Sequence, residues 1–530
     1  MYSKALIDTL SSMDEIYFVL KKKLVVLLGG LGLFFLMLAM PTPDGVSPEG
    51  QRMAAVAVLM ALWWIGEAVP LAVTSLMPLV LYPLLGILPS KVVAPNYTNH
   101  LVFLFMGGFM IALAMEKWNF HKRIALVIIR FIGTSPSQII LGFMVATAFL
   151  SMWISNTATT MMMLPVAIAV VKQIASQASI KGERNASTRH KVERHFGLAL
   201  MLGLAYSASI GGAGTLIGTA PNIVFAGFYK NSFPDQPEIT FLQWMTVALP
   251  IVILFLPMVW LYLCRWVTRV PIRDIEVHNG TSDLIEEELQ ALGPMHRAEK
   301  FVAVIFLMTA LLWIFRQPIA LGSISIPGWS SLFSWGSYIH DSTVAMFMGL
   351  VLLLVPLGYP GGMERDGKLE YFALDWKTVQ EKLPWGILLL FGGGFALAAG
   401  FKSTGLDMWI GQQLTGIQAL PIWLIILTLC LGITFLTEFT SNTATATMIL
   451  PVIAGAAVMM DTHPLLLMVP VTISASFAFM MPVATPPNAI VFGSGWVTVP
   501  QMSRAGFILN FLGAGLVTGA ILLLVPFLIF

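Results

Sequence analysis

Ser155-Asn156-Thr157-Ala158-Thr159-Thr160-Met161-Met162-Met163-Leu164-Pro165-Val166 is a polar cluster that runs into an apolar stretch, and the chain carries it twice. It returns as Ser441-Asn442-Thr443-Ala444-Thr445-Ala446-Thr447-Met448-Ile449-Leu450-Pro451-Val452. Upstream, Met106-Gly107-Gly108-Phe109 returns as Gly392-Gly393-Gly394-Phe395. Downstream, Gly218-Thr219-Ala220-Pro221-Asn222 returns as Ala484-Thr485-Pro486-Pro487-Asn488. Three matched blocks in one order predict two homologous halves.

The duplicated blocks sit in a chain of 530 residues that is 57% apolar and 11% charged, with a mean hydropathy of +0.83. A soluble domain carries about 25% charged residues. The chain is long enough for several soluble domains of about 150 residues, but its charge is too sparse to solvate them. It therefore reads as an all-α polytopic membrane protein. A net charge of +2 provides no basic field for nucleic acid. Cys264 and Cys430 both lie in apolar runs, so neither a disulfide framework nor a cysteine metal site is expected.

A spanning helix needs about 20 apolar residues. Candidate spans lie near 24–40, 53–69, 71–88, 101–115, 197–228, 244–264, 300–316, 342–358, 385–401, 464–495 and 506–529. Two further apolar stretches, 136–171 and 420–460, are too long for one crossing and have Ser-Asn-Thr near their middles. Each predicts a re-entrant hairpin that turns inside the membrane and leaves on its own side. The expected organisation is an N-terminal segment with the first span (1–52), a first repeat (53–264), a cytoplasmic linker (265–299) and a second repeat (300–530). Acidic residues in the linker, namely Asp274, Glu276, Asp283, Glu286, Glu287 and Glu288, predict a solvated connection.

Orientation follows the distribution of Lys and Arg. With Lys21, Lys22 and Lys23 in the cytoplasm, the outside holds Arg52, Lys91, Lys230, Arg316 and Lys402, leaving 24 of the 29 basic residues inside. One cytoplasmic loop alone carries Lys172, Lys181, Arg184, Arg189, Lys191 and Arg194. The protein should then sit in the plasma membrane of a bacterium, with its N-terminus inside and its C-terminus outside. The first span runs into Pro41 and Pro43 without an A-x-A cleavage site, as a retained helix does. Five crossings in the first half make the second half begin on the opposite side. That is the inverted repeat of secondary transporters, whose sites lie at broken helices near mid-membrane.

The repeated motifs suit such a site. A turn inside the bilayer leaves backbone groups unpaired and is tolerated only against protein or a water-filled cavity. The hydroxyls and amides of Ser155, Asn156 and Thr157, and of Ser441, Asn442 and Thr443, can donate to an anion and accept a cation. The helix after each tip presents its positive end to the cavity. Pro221, Pro486 and Pro487 sit mid-way along spans and should unwind them. The freed carbonyls suit a small hard cation. One Ser-Asn-Thr alone would read as interhelical glue; two, each beside a proline-broken helix, read as a binding site. Pro165 and Pro451 read only as kinks.

Enzyme signatures are lacking: the chain has no HExxH, no GxSxG and no GK[ST] loop. Gly211-Gly212-Ala213-Gly214 reads as helix packing. Glu438, matched by Met152 in the first half, is read equally as a structural partner or as a proton-sensitive modulator. The eight His lie at loops or span ends, and none is read as a ligand.

The twin Ser-Asn-Thr motifs, with Thr437-Glu438-Phe439-Thr440 before the second, resemble the divalent anion:sodium symporters. That family includes sodium-coupled dicarboxylate and citrate transporters, and the resemblance covers nearly the whole chain. It implies a homodimer in membrane lipid, each protomer with a scaffold and an elevator-like transport part. It implies a di- or tricarboxylate held by Ser155, Asn156, Thr157, Ser441, Asn442 and Thr443, with Thr219, Thr485 and Pro486. It implies one Na+ near Ser151, Ser155, Asn156 and Gly218, and a second near Thr437, Thr440, Asn442 and Ala484. Ala220 opposite Pro486 makes the two sides of the pocket differ. The leading expectation is sodium-coupled import of C4 dicarboxylates (succinate, fumarate, malate). A sodium-independent dicarboxylate exchanger is the nearest rival, and citrate and sulfate stay open as substrates. An enzyme would need a nucleophile converging with a base, and a channel would need a continuous polar path. The sequence offers neither.

Overall fold

The computed structural model describes residues 21, 23–180, 186–268, 272, 275–277, 281–321, 324–357, 363–365, 368–413 and 420–526. Lys22, Lys181, Arg184 and Asp274, used above, lie outside the described residues. Helices carry the structure. The first membrane layer comprises α1 (Lys23–Ala39), α2 (Pro48–Gly66), α3 (Leu71–Ser75), α4 (Met77–Leu84), α5 (Ser90–Val93), α6 (His100–Lys117) and α7 (Phe120–Ile132). Next come α8 (Pro136–Ser151) and α9 (Asn156–Gln177), then α10 (Ala186–Gly212) and α11 (Ala220–Ser232), and α12 (Phe241–Tyr262). The second half holds α13 (Thr281–Ala291), α14 (Arg297–Ile314), α15 (Asp341–Leu354), α16 (Trp376–Lys382), α17 (Trp385–Thr404) and α18 (Leu406–Gln413). It closes with α19 (Ile422–Thr437), α20 (Asn442–Met459), α21 (Leu465–Ala475), α22 (Pro486–Phe492) and α23 (Val499–Leu524).

Local chemistry sets these boundaries. Ser135 and Thr240 begin α8 and α12 in capping boxes with Gln138 and Gln243, pairing backbone donors that the first turn leaves free. The expected span 71–88 is two short helices, because Pro78 in the first turn of α4 has no N–H with which to continue α3. Among the described residues, seven helices are long and apolar enough to cross a membrane, and six shorter apolar ones accompany them. The shorter set includes α8, α19 and α21, which belong to the interrupted segments. Large apolar side chains on α1 (Leu24, Leu28, Leu36), α14 (Leu307) and α23 (Phe507, Phe511) point outward, as lipid-facing surfaces do.

The fold is all-α as expected, and two features of the connections add to it. Among the described residues, three short two-stranded ribbons occur in the loops: Ala178–Ile180 with Ile275–Val277, Ile319–Leu321 with Ile324–Ile326, and Met363–Arg365 with Lys368–Glu370. The last two let a loop satisfy its own backbone, and the first joins two connections far apart in the chain. The acidic linker, moreover, is more than a solvated connection. Its residues 281–291 form α13, and Glu288 and Glu286 pair with Lys122 (2.8 Å) and Arg130 (3.2 Å) on α7. Exposed pairs of this kind contribute at most about 1 kcal/mol each. The Arg123–Glu299 pair is buried on the Glu299 side and reinforced by a bond from Arg123 Nη2 to Gly293 O (3.0 Å). Amphipathic α7 was not anticipated as a separate helix; its apolar face buries Ala125, Leu126 and Ile129.

Packing joins the halves. A smaller core of Met53, Leu59, Trp64 and Tyr82 from α2 and α4 closes against Leu390, Leu397 and Phe401 of α17. In the main core α10 packs on α8 and α9, and its counterpart α21 packs on α19 and α20. The distal pieces exchange partners: α11 of the first half packs on α20, and α22 of the second half packs on α9.

Candidate functional site

Two of the three matched block pairs become breaks between helices, whereas 106–109 and 392–395 lie inside α6 and α17. Residues 152–155 separate α8 from α9, and 438–441 separate α19 from α20. Residues 213–219 separate α10 from α11, and 476–485 separate α21 from α22. Thr219 and Thr485 precede α11 and α22 with nearly equal extended backbones (φ −147°, ψ 149° and φ −141°, ψ 149°). A proline in the first turn of each helix has no N–H to offer backward.

All four breaks converge on one cavity of about 720 Å³. Its polar wall contains Ser155, Asn156, Thr157, Gly218, Thr219, Ser441, Asn442, Thr443, Thr485 and Pro486, together with Thr440, Ala220 and Ala484. Every residue expected to touch substrate lines this cavity. Ser151 and Thr437 do not line it; both are fully buried directly behind the tips. Glu67, exposed at the C-terminal end of α2, is the one ionisable side chain among the described lining residues.

The two tips share one hydrogen-bond pattern. Ser151 Oγ lies within bonding distance of Asn156 Oδ1 and of the Ala208 carbonyl (2.7 Å). Thr437 Oγ1 lies 2.7 Å from Asn442 Oδ1 and 3.0 Å from the Ala475 carbonyl. A hydroxyl has one proton, so each group of three oxygens holds one hydrogen among them. Such a surplus of acceptors fits a hard cation, which is bound through hydroxyl, amide and carbonyl oxygens. Close packing narrows the first group further. A Cβ at Gly218 would meet the Gly212 carbonyl oxygen at 2.3 Å, so only glycine lets this backbone approach.

Two residues inside the quoted blocks do work the sequence reading did not assign. Asn222 Nδ2 donates to the Thr215 carbonyl at 2.7 Å, and Asn488 Nδ2 donates to the carbonyls of Ala478 (3.1 Å) and Met481 (3.0 Å). Both amides are fully buried and tie the unwound segments to the helices that follow. Their matched positions in the two blocks were the available signal.

Glu438 is structural in this arrangement. Its carboxylate accepts from the backbone N–H groups of Phe479 (2.7 Å), Met480 (2.9 Å) and Met481 (3.1 Å), and from Asn510 Nδ2 (2.9 Å). It is fully buried and does not line the cavity. The three backbone donors belong to the unwound segment after α21, which has no helical carbonyls to serve them, and Asn510 reaches in from α23. In the first half, where Met152 replaces it, the corresponding segment is held by Thr215 Oγ1 on the Met152 carbonyl and by Trp244 Nε1 on the Ala213 carbonyl (2.9 Å).

Histidine gives a further departure from the sequence reading. His100 and His340 face the Glu238 carboxylate together, at 3.6 and 3.1 Å. His100 opens α6, Glu238 lies between α11 and α12, and His340 immediately precedes α15, and no local spacing announces them.

Comparison with known proteins identifies the family. Over 504 residues the chain is 42% identical to a protein of Staphylococcus saprophyticus named sodium-dependent dicarboxylate transporter SdcS, covering 95% of this chain and 92% of that one. It is 42% identical over 492 residues to the protein of the same name in Staphylococcus aureus, covering 93% and 89%. Among solved structures its fold is similar to the YdaH transporter of Alcanivorax borkumensis (TM-score 0.52, 14% identity, 82% of this chain and 86% of that one). It is also similar to MtrF of Neisseria gonorrhoeae (TM-score 0.51, 11% identity, 96% and 94%). The profile described as "Sodium:sulfate symporter transmembrane region" matches residues 21–529, and the chain belongs to that family of membrane transporters.

Proposed function

We propose that the chain is a sodium-coupled symporter that imports C4 dicarboxylates such as succinate, fumarate and malate across the plasma membrane. The observation that carries this reading is the cavity wall: four chain breaks contribute hydroxyls, amides and backbone groups, with no Lys or Arg among the described lining residues. A dianion entering such a pocket needs positive charge from elsewhere, and co-bound cations supply it. The relatives, named as sodium-dependent dicarboxylate transporters, support the same substrate class and the same coupling ion.

In this reading Ser155, Asn156, Thr157, Thr219, Ser441, Asn442, Thr443, Thr485 and Pro486 hold the two carboxylates. One Na+ takes Ser151, Ser155, Asn156 and Gly218, and a second takes Thr437, Thr440, Asn442 and Ala484. The oxygen groups around Ser151 and Thr437, each short of hydrogens, support those cation positions. With the N-terminus in the cytoplasm and the C-terminus outside, the lining residues Ile65, Leu71 and Ile387 stand at the cytoplasmic ends of α2, α3 and α17, which supports a cavity that reaches the inner side and a state that releases substrate to the cytoplasm. The two halves, 53–264 and 300–530, form an inverted repeat, and 136–171 and 420–460 are re-entrant hairpins. Hairpins and broken helices move as an elevator against the rest, in a homodimer.

Radiolabelled succinate uptake into proteoliposomes tests the reading. Accumulation under an inward sodium gradient, abolished when choline replaces sodium, is expected. Equal uptake in both cations overturns sodium coupling, and uptake only against internal dicarboxylate establishes exchange. No succinate uptake, with citrate or sulfate accumulated instead, overturns the C4 assignment.

A further inference from the structure

His100, Glu238 and His340 bring three ligand atoms together from three distant segments. Glu238 Oε2 lies 3.6 Å from His100 Nε2 and 3.1 Å from His340 Nδ1, and all three atoms fall within 4.8 Å of one another. The imidazole rings themselves stand 5.0 Å apart, tilted by 36°. Both nitrogens aim at the same carboxylate oxygen, whereas a simple acid–imidazole hydrogen bond needs only one ring. A tetrahedral zinc ion, about 2.0–2.1 Å from each donor, calls for donor separations of about 3.3 Å. Two of the three edges already match that figure closely, and the third closes by a small rotation of either ring.

We propose that His100, Glu238 and His340 form a site for a divalent transition metal of the zinc type, with the fourth position open to water. Imidazole with carboxylate is a donor set that suits such ions, whereas all-oxygen sites suit magnesium and calcium. The side chains are about one-third exposed, so an ion can reach them from solution. The neighbouring cations are occupied elsewhere. Arg316 bonds Asp341 and the Ile339 carbonyl (2.9 Å), and Lys230 Nζ bonds the carbonyls of Pro234 (2.9 Å) and Gln236 (3.1 Å). The carriers are held in register by Asp341 Oδ2, which accepts from Phe241 N at 2.9 Å, three residues beyond Glu238 and one beyond His340.

The position gives the ion a role, which rests on the transport reading above. His100 and His340 begin α6 and α15, which pack on each other. Glu238 lies in the connection from α11 to α12, and these helices pack on α20 and α23 of the site-bearing bundle. All three loops are on the outer side in the proposed orientation, whereas the cavity opens inward. A bound ion therefore clips the bundle to α6 and α15 and holds the inward-open state. External zinc should act as an inhibitor.

Titration of the purified full-length protein with ZnCl2 by calorimetry tests the site without any transport assay. The expected result is one zinc per chain, weakened by at least about 10-fold in Glu238→Gln and lost in His100→Ala/His340→Ala. His100→Gln/His340→Gln, with unchanged gel filtration and melting temperature, guards against misfolding. Equal zinc binding by wild type and both double variants overturns the site. In proteoliposomes, external zinc should lower succinate uptake of the wild type by at least about fivefold and leave the double variant unaffected. Zinc binding lost in the variant, with wild-type uptake insensitive to zinc, overturns the clip. Absence of any succinate uptake before zinc is added counts against the transport reading, and the calorimetric result still decides the metal site.

Discussion

The two chain breaks at 152–155 and 438–441 present the same face to the cavity and are supported from behind by different means. Asn156 and Asn442 line the cavity and repeat one geometry with Ser151 and Thr437 buried beneath them, each hydroxyl also meeting a backbone carbonyl of a neighbouring helix. Behind it, the second half uses Glu438 to gather three backbone N–H groups, and the first half has Met152 and no such collector. Thr440 and Thr445 bond each other in the second half, but the first half has Ile154 opposite Thr159, whose hydroxyl finds no partner among the described residues. The oxygens facing the cavity are duplicated, and the scaffolding differs on each side. That division separates residues proposed to bind from residues that hold.

The most severe test of the shared face is Asn156→Ala alongside Asn442→Ala. Each should lower succinate uptake by about 100-fold or more, which corresponds to about 2.7 kcal/mol, in protein that still purifies as a folded species. Normal uptake by both would remove the site assignment, and loss in one alone would show that the two faces are not equivalent. Next in size is Glu438→Ala, which orphans the donors of Phe479, Met480, Met481 and Asn510. At about 1–3 kcal/mol per buried unpaired group, it should lower the melting temperature sharply and stop uptake. Glu438→Gln, which keeps an acceptor, should retain a measurable fraction of both. A Glu438→Ala protein as stable as the wild type would break the supporting role. Smaller still is Thr445→Ala, which removes a partner of Thr440 and should cost about 1 kcal/mol in chemical denaturation. Thr159→Ala should change almost nothing. Equal losses for Thr445→Ala and Thr159→Ala would erase the contrast between the halves.

The breaks themselves were legible in the sequence because duplication doubled every signal. Ser-Asn-Thr in an apolar run is ambiguous once, but a second copy beside a second mid-span proline is not. The supports were illegible for the opposite reason. Glu438 reaches Asn510, 72 residues away, and a lone carboxylate matched by methionine gives no hint of what it will meet. Amphipathic α7 hid among spans because its basic residues read as orientation signals, although they are the partners of α13. The cluster of His100, Glu238 and His340 has no periodicity at all, since its residues come from three segments far apart in the chain.

The exchange of distal helices has a consequence for how the protein is made. α9 rests on α22, and the two are separated by about 310 residues of chain that a ribosome takes roughly 15–60 s to synthesise. Throughout that interval α9 lacks a neighbour that it has in the finished fold. α22, by contrast, emerges when α9 and α10, on which it packs, are already made, so the half synthesised second folds against a partner already in place.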